Sequence, residues 1–257
     1  LVLSPSPADA LTSARLVPDD QIARPGEEVW LRVRLVRSPI PFITRPVSGE
    51  RVEFYQGKTL LGVGLTGGDG IATVRFVARS PGLYPIKTRL DASSSYVAEE
   101  GGMVLAAWQP DRSFLLIEVG SLEDVPETDL PLSPFLIENP APRPGATEVL
   151  KRLSPRYPIV YLTTEDRFLQ RHHWLSHHRF PPGPLLSWDG SANLIRKWKK
   201  EGRHPKAGIT RSDASALIFH KSGIRSILLV SPNEKKSEGE KGVLTPSDWE
   251  GVERLLK

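Results

Sequence analysis

The chain has no cysteine among its 257 residues. That removes disulfides, thiolate metal sites and a cysteine nucleophile together. The same absence fits a cytosolic protein as well as an exported bacterial one, so the compartment stays open. No apolar run approaches the ~18 residues of a membrane-crossing helix, and no transmembrane segment is expected. A nucleotide-binding glycine loop is also missing: Gly62, Gly64, Gly67 and Gly68 fall in a strand-turn-strand pattern with no helix behind it. No nucleic-acid motif is present, and no nucleic-acid partner is expected. The chain opens on Leu1, which reads as the start of a processed or trimmed product whose signal peptide, if it had one, is gone.

What is present is a globular composition, 39% hydrophobic and 25% charged, with a formal net charge of +4. Part of the positive charge lies in residues 196–200, with Arg203, Lys206, Lys235, Lys236 and Lys241. Fields of like charge add over short distances and attract phosphates or anionic headgroups. A solvated helix face and a charged loop produce the same pattern. Peripheral membrane contact therefore stays open.

The length and a change of pattern near residue 110 divide the chain into two domains and a lead-in. Residues 1–13, rich in Pro, Ser and Ala, read as a loose lead-in. Residues 14–110 read as an all-β sandwich. Leu31, Val33 and Leu35 alternate with Arg32 and Arg34, which puts one face of the strand inside. Further strands are expected at 51–56, 59–65, 71–78, 82–90 and 103–108, with a turn at 66–70. Short strands at this spacing suggest an immunoglobulin-like sandwich. Pro25-Gly-Glu-Glu-Val29, Gly70-Ile-Ala-Thr-Val74 and Gly82-Leu-Tyr84 resemble the bacterial immunoglobulin-like modules of surface and exported proteins. No paired acids or ligand cluster accompany them, and a structural or binding role is the expectation.

Residues 111–257 switch to apolar runs alternating with helical patterns, which points to a parallel sheet with helices on both faces. Strands are expected at 114–118, 159–162, 206–209 and 226–230, and helices at 146–153, 166–177, 192–200 and 212–222. A polar, lysine-rich loop at 231–240 leads to a final helix at 246–256. Ligand crevices of such sheets lie at the carboxyl ends of the strands. Glu118, Thr163 and the loop before Asp213 all fall there.

The order of strand with acid, strand with hydroxyl and late acid resembles the haloacid dehalogenase superfamily, which implies a Rossmannoid parallel sheet, here with a minimal cap. Leu162-Thr-Thr-Glu165 and the string Phe180-Pro-Pro-Gly-Pro-Leu-Leu186, with Pro144-Gly-Ala-Thr-Glu-Val-Leu150 before them, look like the lipin-type phosphatidate phosphatases. Relatives of that type include the bacterial enzymes similar to actin-patch phosphatases and the C-terminal domain of retinal-degeneration-type phosphatidylinositol transfer proteins. The resemblance implies an aspartate nucleophile, an aspartate general acid two residues on, and magnesium bridging nucleophile and phosphate. Transferred position by position, the nucleophile falls on Glu118 and the acid on Gly120. Glycine cannot move a proton, and displacing a reacting carboxylate by on the order of 1 Å costs about a hundredfold in rate. The family's hydroxyl falls on Thr163, and its second late acid on Asp213 with Ile209 in place of the first. The family's lysine falls among Arg196, Lys197, Lys199 and Lys200; Lys197 joins Thr163 and Thr164 as the implied phosphate-binding set.

The residues also have structural readings. Glu118 can cap a helix or pair with a lysine, Thr163 can satisfy a strand-end amide, and Asp213 can be a first-turn acid favoured by the helix dipole. His172, His173, His177 and His178 invite a zinc test, because His173 and His177 stand i, i+4 on an expected helix. No third ligand is evident, and an exposed basic helix is the preferred reading; no metal site is assigned.

The sequence thus describes a catalytically degenerate phosphatase-like protein that binds a partner protein or a phosphate-bearing ligand, with no cofactor. Two alternatives stand beside it. One is an active magnesium-dependent phosphatase using Glu118, in which magnesium would be the cofactor; the other is an exported scaffold. Export to the periplasm and cytoplasmic residence both remain open.

Overall fold

The computed structural model describes residues 12–40, 43–124, 140–164, 168–230 and 241–257. They divide into two compact units, one ending at Ala107 and the other beginning at Trp108.

The first unit holds β1 (Thr12–Ser13), β2 (Arg15–Asp19), β3 (Gln21–Ala23), β4 (Glu28–Ile40), β5 (Ile43–Pro46), β6 (Arg51–Gln56), β7 (Thr59–Leu65), β8 (Ile71–Val77), β9 (Gly82–Leu90), β10 (Tyr96–Val97) and β11 (Gly101–Ala107). One sheet has the order β3-β11-β9-β6-β7; in the other β4 pairs with β2, β5 and β8. Alternation along β4 sends Leu31, Val33 and Leu35 into the core with Val52, Phe54, Ile86, Met103 and Leu105, while Arg32 and Arg34 stay exposed. Burial of each such side chain stabilises by about 1.5–3 kcal/mol relative to exposure. The result is an immunoglobulin-like β-sandwich.

Three local devices shape it. At Asp20 the chain passes from β2, antiparallel to β4, to β3, parallel to β11. The buried Asp20 carboxylate accepts the Val104 N–H at 2.8 Å, which fastens this crossing point. Gly64 lets β7 lie against β8, since a Cβ there would stand 2.8 Å from the Thr73 backbone. Where β8 hands over to β9, the Tyr84 hydroxyl donates to the Ser80 carbonyl at 2.8 Å, a tyrosine corner of the kind found in immunoglobulin-type sandwiches. Thr12–Ser13, expected in the loose lead-in, instead form β1 in parallel register with Tyr96–Val97; residues 1–11 lie outside the described residues.

The second unit contains β12 (Phe114–Glu118), β13 (Glu123–Asp124), β14 (Ala141–Pro142), α1 (Ala146–Leu153), β15 (Ile159–Thr163), α2 (Phe168–His177), β16 (Leu185–Ser187), α3 (Asn193–Lys200), β17 (Pro205–Thr210), α4 (Asp213–Lys221), β18 (Arg225–Leu228) and α5 (Trp249–Leu256). Five strands form an all-parallel sheet in the order β16-β15-β12-β17-β18. β12 and β15 are buried on both faces, as expected where helices cover a parallel sheet twice. The chain starts in the middle, walks outward to β16, and then returns to β17 on the other side of β12. The connections therefore reverse direction at the β12–β17 pair, which is where such sheets open a crevice.

The sequence assigned no strand to residues 185–187. β16 exists because the proline-rich string before it lies directly on β15: the Tyr161 N–H donates to the Pro184 carbonyl at 2.9 Å and the Tyr161 hydroxyl to the Pro181 carbonyl at 2.7 Å. Burial raises the Tyr161 phenol far above its ordinary pKa. Gly183 makes the approach possible, since a Cβ would come within 2.2 Å of the Ile159 carbonyl oxygen.

The β13–β14 ribbon is held by α2 through a buried two-pronged ion pair, Arg171 Nη1 to Glu123 Oε1 at 2.5 Å and Nη2 to Oε2 at 2.9 Å. The Trp174 indole N–H donates to the Pro140 carbonyl at 2.7 Å. The start of the expected 166–177 helix falls on 166–167 and the lysine-rich loop on 231–240; both lie outside the described residues. Among the described residues no helix is long and apolar enough to cross a membrane.

Candidate functional site

The carboxyl ends of β12, β15 and β16 and the first turn of α4 frame a cavity of ≈ 300 Å³. It is lined by Glu118, Thr163, Thr164, Ser187, Trp188, Asp189, Gly190 and Ser215. Glu118 ends the central strand and is half-buried. Its Oε2 accepts a short hydrogen bond from the Thr210 hydroxyl across the β12–β17 pair, and the Thr210 oxygen in turn accepts the Ser212 N–H at 2.9 Å. This relay fixes the carboxylate from the side opposite the cavity's Thr163.

Thr163 ends β15 in register with Ser187 of β16, and its carbonyl accepts the Trp188 N–H at 2.8 Å. Thr163 and Ser215, 9% and 6% exposed, both line the cavity.

One wall is aromatic. Gly208 on β17 admits the Phe219 ring of α4, since a Cβ at Gly208 would sit 2.4 Å from that ring. Phe219 stacks on Trp188, with ring centroids 5.3 Å apart and an interplanar angle of 13°. The Trp188 indole N–H donates to the Ser191 carbonyl at 2.8 Å. At the rim, Asp189 Oδ1 accepts the Ser191 N–H at 2.9 Å, and the Ser191 hydroxyl and amide hold the Asp189 carboxyl below its ordinary pKa.

The structure therefore brings Glu118, Thr163 and Thr164 together and leaves two other sequence candidates outside. Asp213 opens α4 as an exposed first-turn acid, and Ser215 rather than Asp213 lines the cavity. Lys197 lies on α3, 4.0 Å from Glu201, beside a separate concavity with Asn193, Arg196, Lys200 and Glu201. None of the α3 lysines lines the cavity that holds Glu118. Lys199 is further committed, donating to the Ser222 carbonyl at the end of α4. The sequence missed Thr210, Ser215, Ser187, Trp188 and Asp189. Only Trp188-Asp189-Gly190 carried a usable signal, as turn residues directly behind an apolar run.

Magnesium, which the resemblance ties to the active reading, prefers near-octahedral oxygen ligands. Glu118 has one oxygen bound by Thr210, Asp213 is outside the cavity, and Gly120 offers no side chain. The described residues do not fit that ion, and they contain no group of three or more His, Asp or Glu able to hold a metal. The histidines of α2 pack on one another: His173 and His177 stack at 6.1 Å, and His177 meets His178 edge-on at 4.9 Å. Burial, and secondarily the charge of His177, lower the His178 pKa.

No family model matches the chain, and no curated protein matches it. Among solved structures, the chain is similar to a dehalogenase at 13% identity, covering 56% of this chain and 97% of that one with a TM-score of 0.44. A defluorinating L-2-haloacid dehalogenase is similar at 12% identity over 46% of this chain and 55% of its own, TM-score 0.37. The PKD domain of the human VPS10 domain-containing receptor SorCS2 is similar at 16% identity, covering 44% of this chain and 86% of its own, TM-score 0.29.

Proposed function

We propose that this protein is a catalytically degenerate, phosphatase-like binding module, with the crevice at the end of its parallel sheet retained as a ligand site. The observation that carries the reading is the state of Glu118. The carboxylate standing where a nucleophile would be needed is tied to Thr210, and the position two residues on is Gly120, without a proton to give. The cavity itself persists, with Thr163 and Ser215 among its lining residues. A haloacid-dehalogenase-like ancestry of the second unit is part of this proposal, as is a binding or spacing role for the sandwich.

The test is phosphate release from phosphatidate and from a generic aryl phosphate, with and without magnesium, beside a Glu118→Asp, Gly120→Asp double variant. The natural chain is expected to be silent. Magnesium-dependent release that Glu118→Gln abolishes would sink the reading in favour of an active phosphatase.

A further inference from the structure

We propose that the crevice binds a small cationic amine and disfavours phosphate. The inference rests on the reading of this cavity as a ligand site without phosphatase chemistry, and it names the charge and hydrogen-bonding character of the occupant.

The lining is acceptor-rich and carries one sign of charge. Glu118 and Asp189 contribute carboxylates, and among the described residues the cavity is lined by no Lys, Arg or His. The lysines that would neutralise a phosphate sit along α3 with Glu201 and the end of α4 as their partners. Among the described residues, a phosphate entering this cavity would meet two carboxylates and no cation. Like charges close together in a partly buried site repel strongly.

An ammonium group reverses each of those terms. It brings the missing positive charge, and its three N–H donors have no acceptor needs of their own. The second oxygen of Glu118 and the hydroxyl oxygens of Thr163 and Ser215 are acceptors lining one cavity. Thr210 keeps the Glu118 carboxylate in place without using its second oxygen. A divalent cation fits less well, because it would need several anionic or imidazole ligands and the described residues assemble none. A neutral polyol would satisfy the hydroxyls but leave both carboxylates uncompensated. The stacked Trp188 adds an indole wall that favours a cation or an apolar stem. The ≈ 300 Å³ volume limits the occupant to a small molecule or the end of a larger one.

The deciding experiment is calorimetric titration of the full chain with 2-aminoethanol, 1,4-diaminobutane, glycerol and inorganic phosphate, the last with and without magnesium. At least one amine is expected to bind, while phosphate gives no binding heat. Glu118→Gln keeps the acceptor for Thr210 but removes the charge, and is expected to weaken the amine about tenfold, the scale of one charge-assisted hydrogen bond. Thr163→Val, nearly isosteric, is expected to weaken it about fivefold through one lost neutral bond. Thermal melts of both variants check that they fold; the contest between amine and phosphate on the natural chain needs neither. Binding of phosphate, silence of both amines, or an amine affinity indifferent to Glu118→Gln would overturn the proposal. Phosphate release from an aryl ester overturns the non-catalytic reading instead and is measured separately, so the two failures are told apart.

Discussion

The two units treat polar groups in opposite ways. On the sandwich, polar side chains mostly satisfy one another at the surface: Arg89 donates to Glu53 at 2.6 Å and to the Tyr55 hydroxyl at 2.7 Å, while Tyr55 donates to Glu53 at 3.0 Å. That network holds the Glu53 carboxyl below its ordinary pKa, through Arg89 first and Tyr55 second. Glu50 likewise accepts from the Ser94 and Ser95 hydroxyls at 2.6 and 3.0 Å. The buried Thr88 hydroxyl lacks a partner among the described residues, and Gly101 packs against it. In the α/β unit the central strands are buried on both faces, and the polar side chains that line a cavity gather where the strands end. The difference follows from sheet type. An antiparallel sandwich exposes a whole face of each sheet to water, whereas a doubly covered parallel sheet has only its strand ends left for function.

That contrast can be broken at several points, beginning with the largest effect. Arg171→Leu leaves the buried Glu123 carboxylate without its two-pronged partner. It is expected to cost about 3–5 kcal/mol in chemical denaturation, the scale of a broken buried pair. Gly183→Ala forces a methyl into the Ile159 carbonyl and is expected to cost about 1–3 kcal/mol while loosening β16 and the crevice rim. On the sandwich, Tyr84→Phe removes the hydroxyl that bonds Ser80, for about 1 kcal/mol. A loss well above that would mean the corner organises more of the sandwich than its own hydrogen bonds.

The next effect appears only in acid. Glu253 on α5 accepts from Arg152 of α1 and pairs with Lys257, and these hydrogen bonds, Arg152 first, pull its carboxyl down to about 2. A depressed carboxyl stabilises the folded state above the ordinary carboxylate range, and the contribution is lost as pH falls from that range toward about 2. Denaturation measured across that window should show a slope that Glu253→Gln flattens; an unchanged slope would assign the acid sensitivity elsewhere. The smallest effect is expected at the crevice itself. A Cβ at Gly120 meets nothing within 4 Å, and its φ is not in the left-handed region. Gly120→Asp should therefore change stability by less than about 0.5 kcal/mol, as exposed substitutions usually do. The missing acid is then a matter of chemistry and not of space.

Much of the fold was legible because it rests on periodicity. The strands at 51–56, 59–65, 82–90 and 114–118 and the helix at 146–153 fall where alternation and helical spacing place them. β16 was illegible because three residues behind a proline-rich string have no period, and they become a strand only when Tyr161 receives them. Of the crevice, Glu118, Thr163 and Thr164 could be read from strand ends. Thr210 and Ser215 could not, since a hydroxyl in a strand or a helix looks the same whether it faces a core, a cavity or water.

The sequence by itself determined the division into a sandwich and an α/β unit, the inward faces of the strands, and the absence of a paired aspartate at the end of β12. Those are properties of residue type and short-range spacing, which survive in one dimension. Only the tertiary structure decided that Thr210 holds Glu118, that Ser215 and not Asp213 lines the cavity, and that the lysines of α3 do not line it. Each of these depends on which strand lies beside which and on how far one helical turn carries a side chain from the sheet's edge. Those relations exist only once β12, β15 and β17 are neighbours.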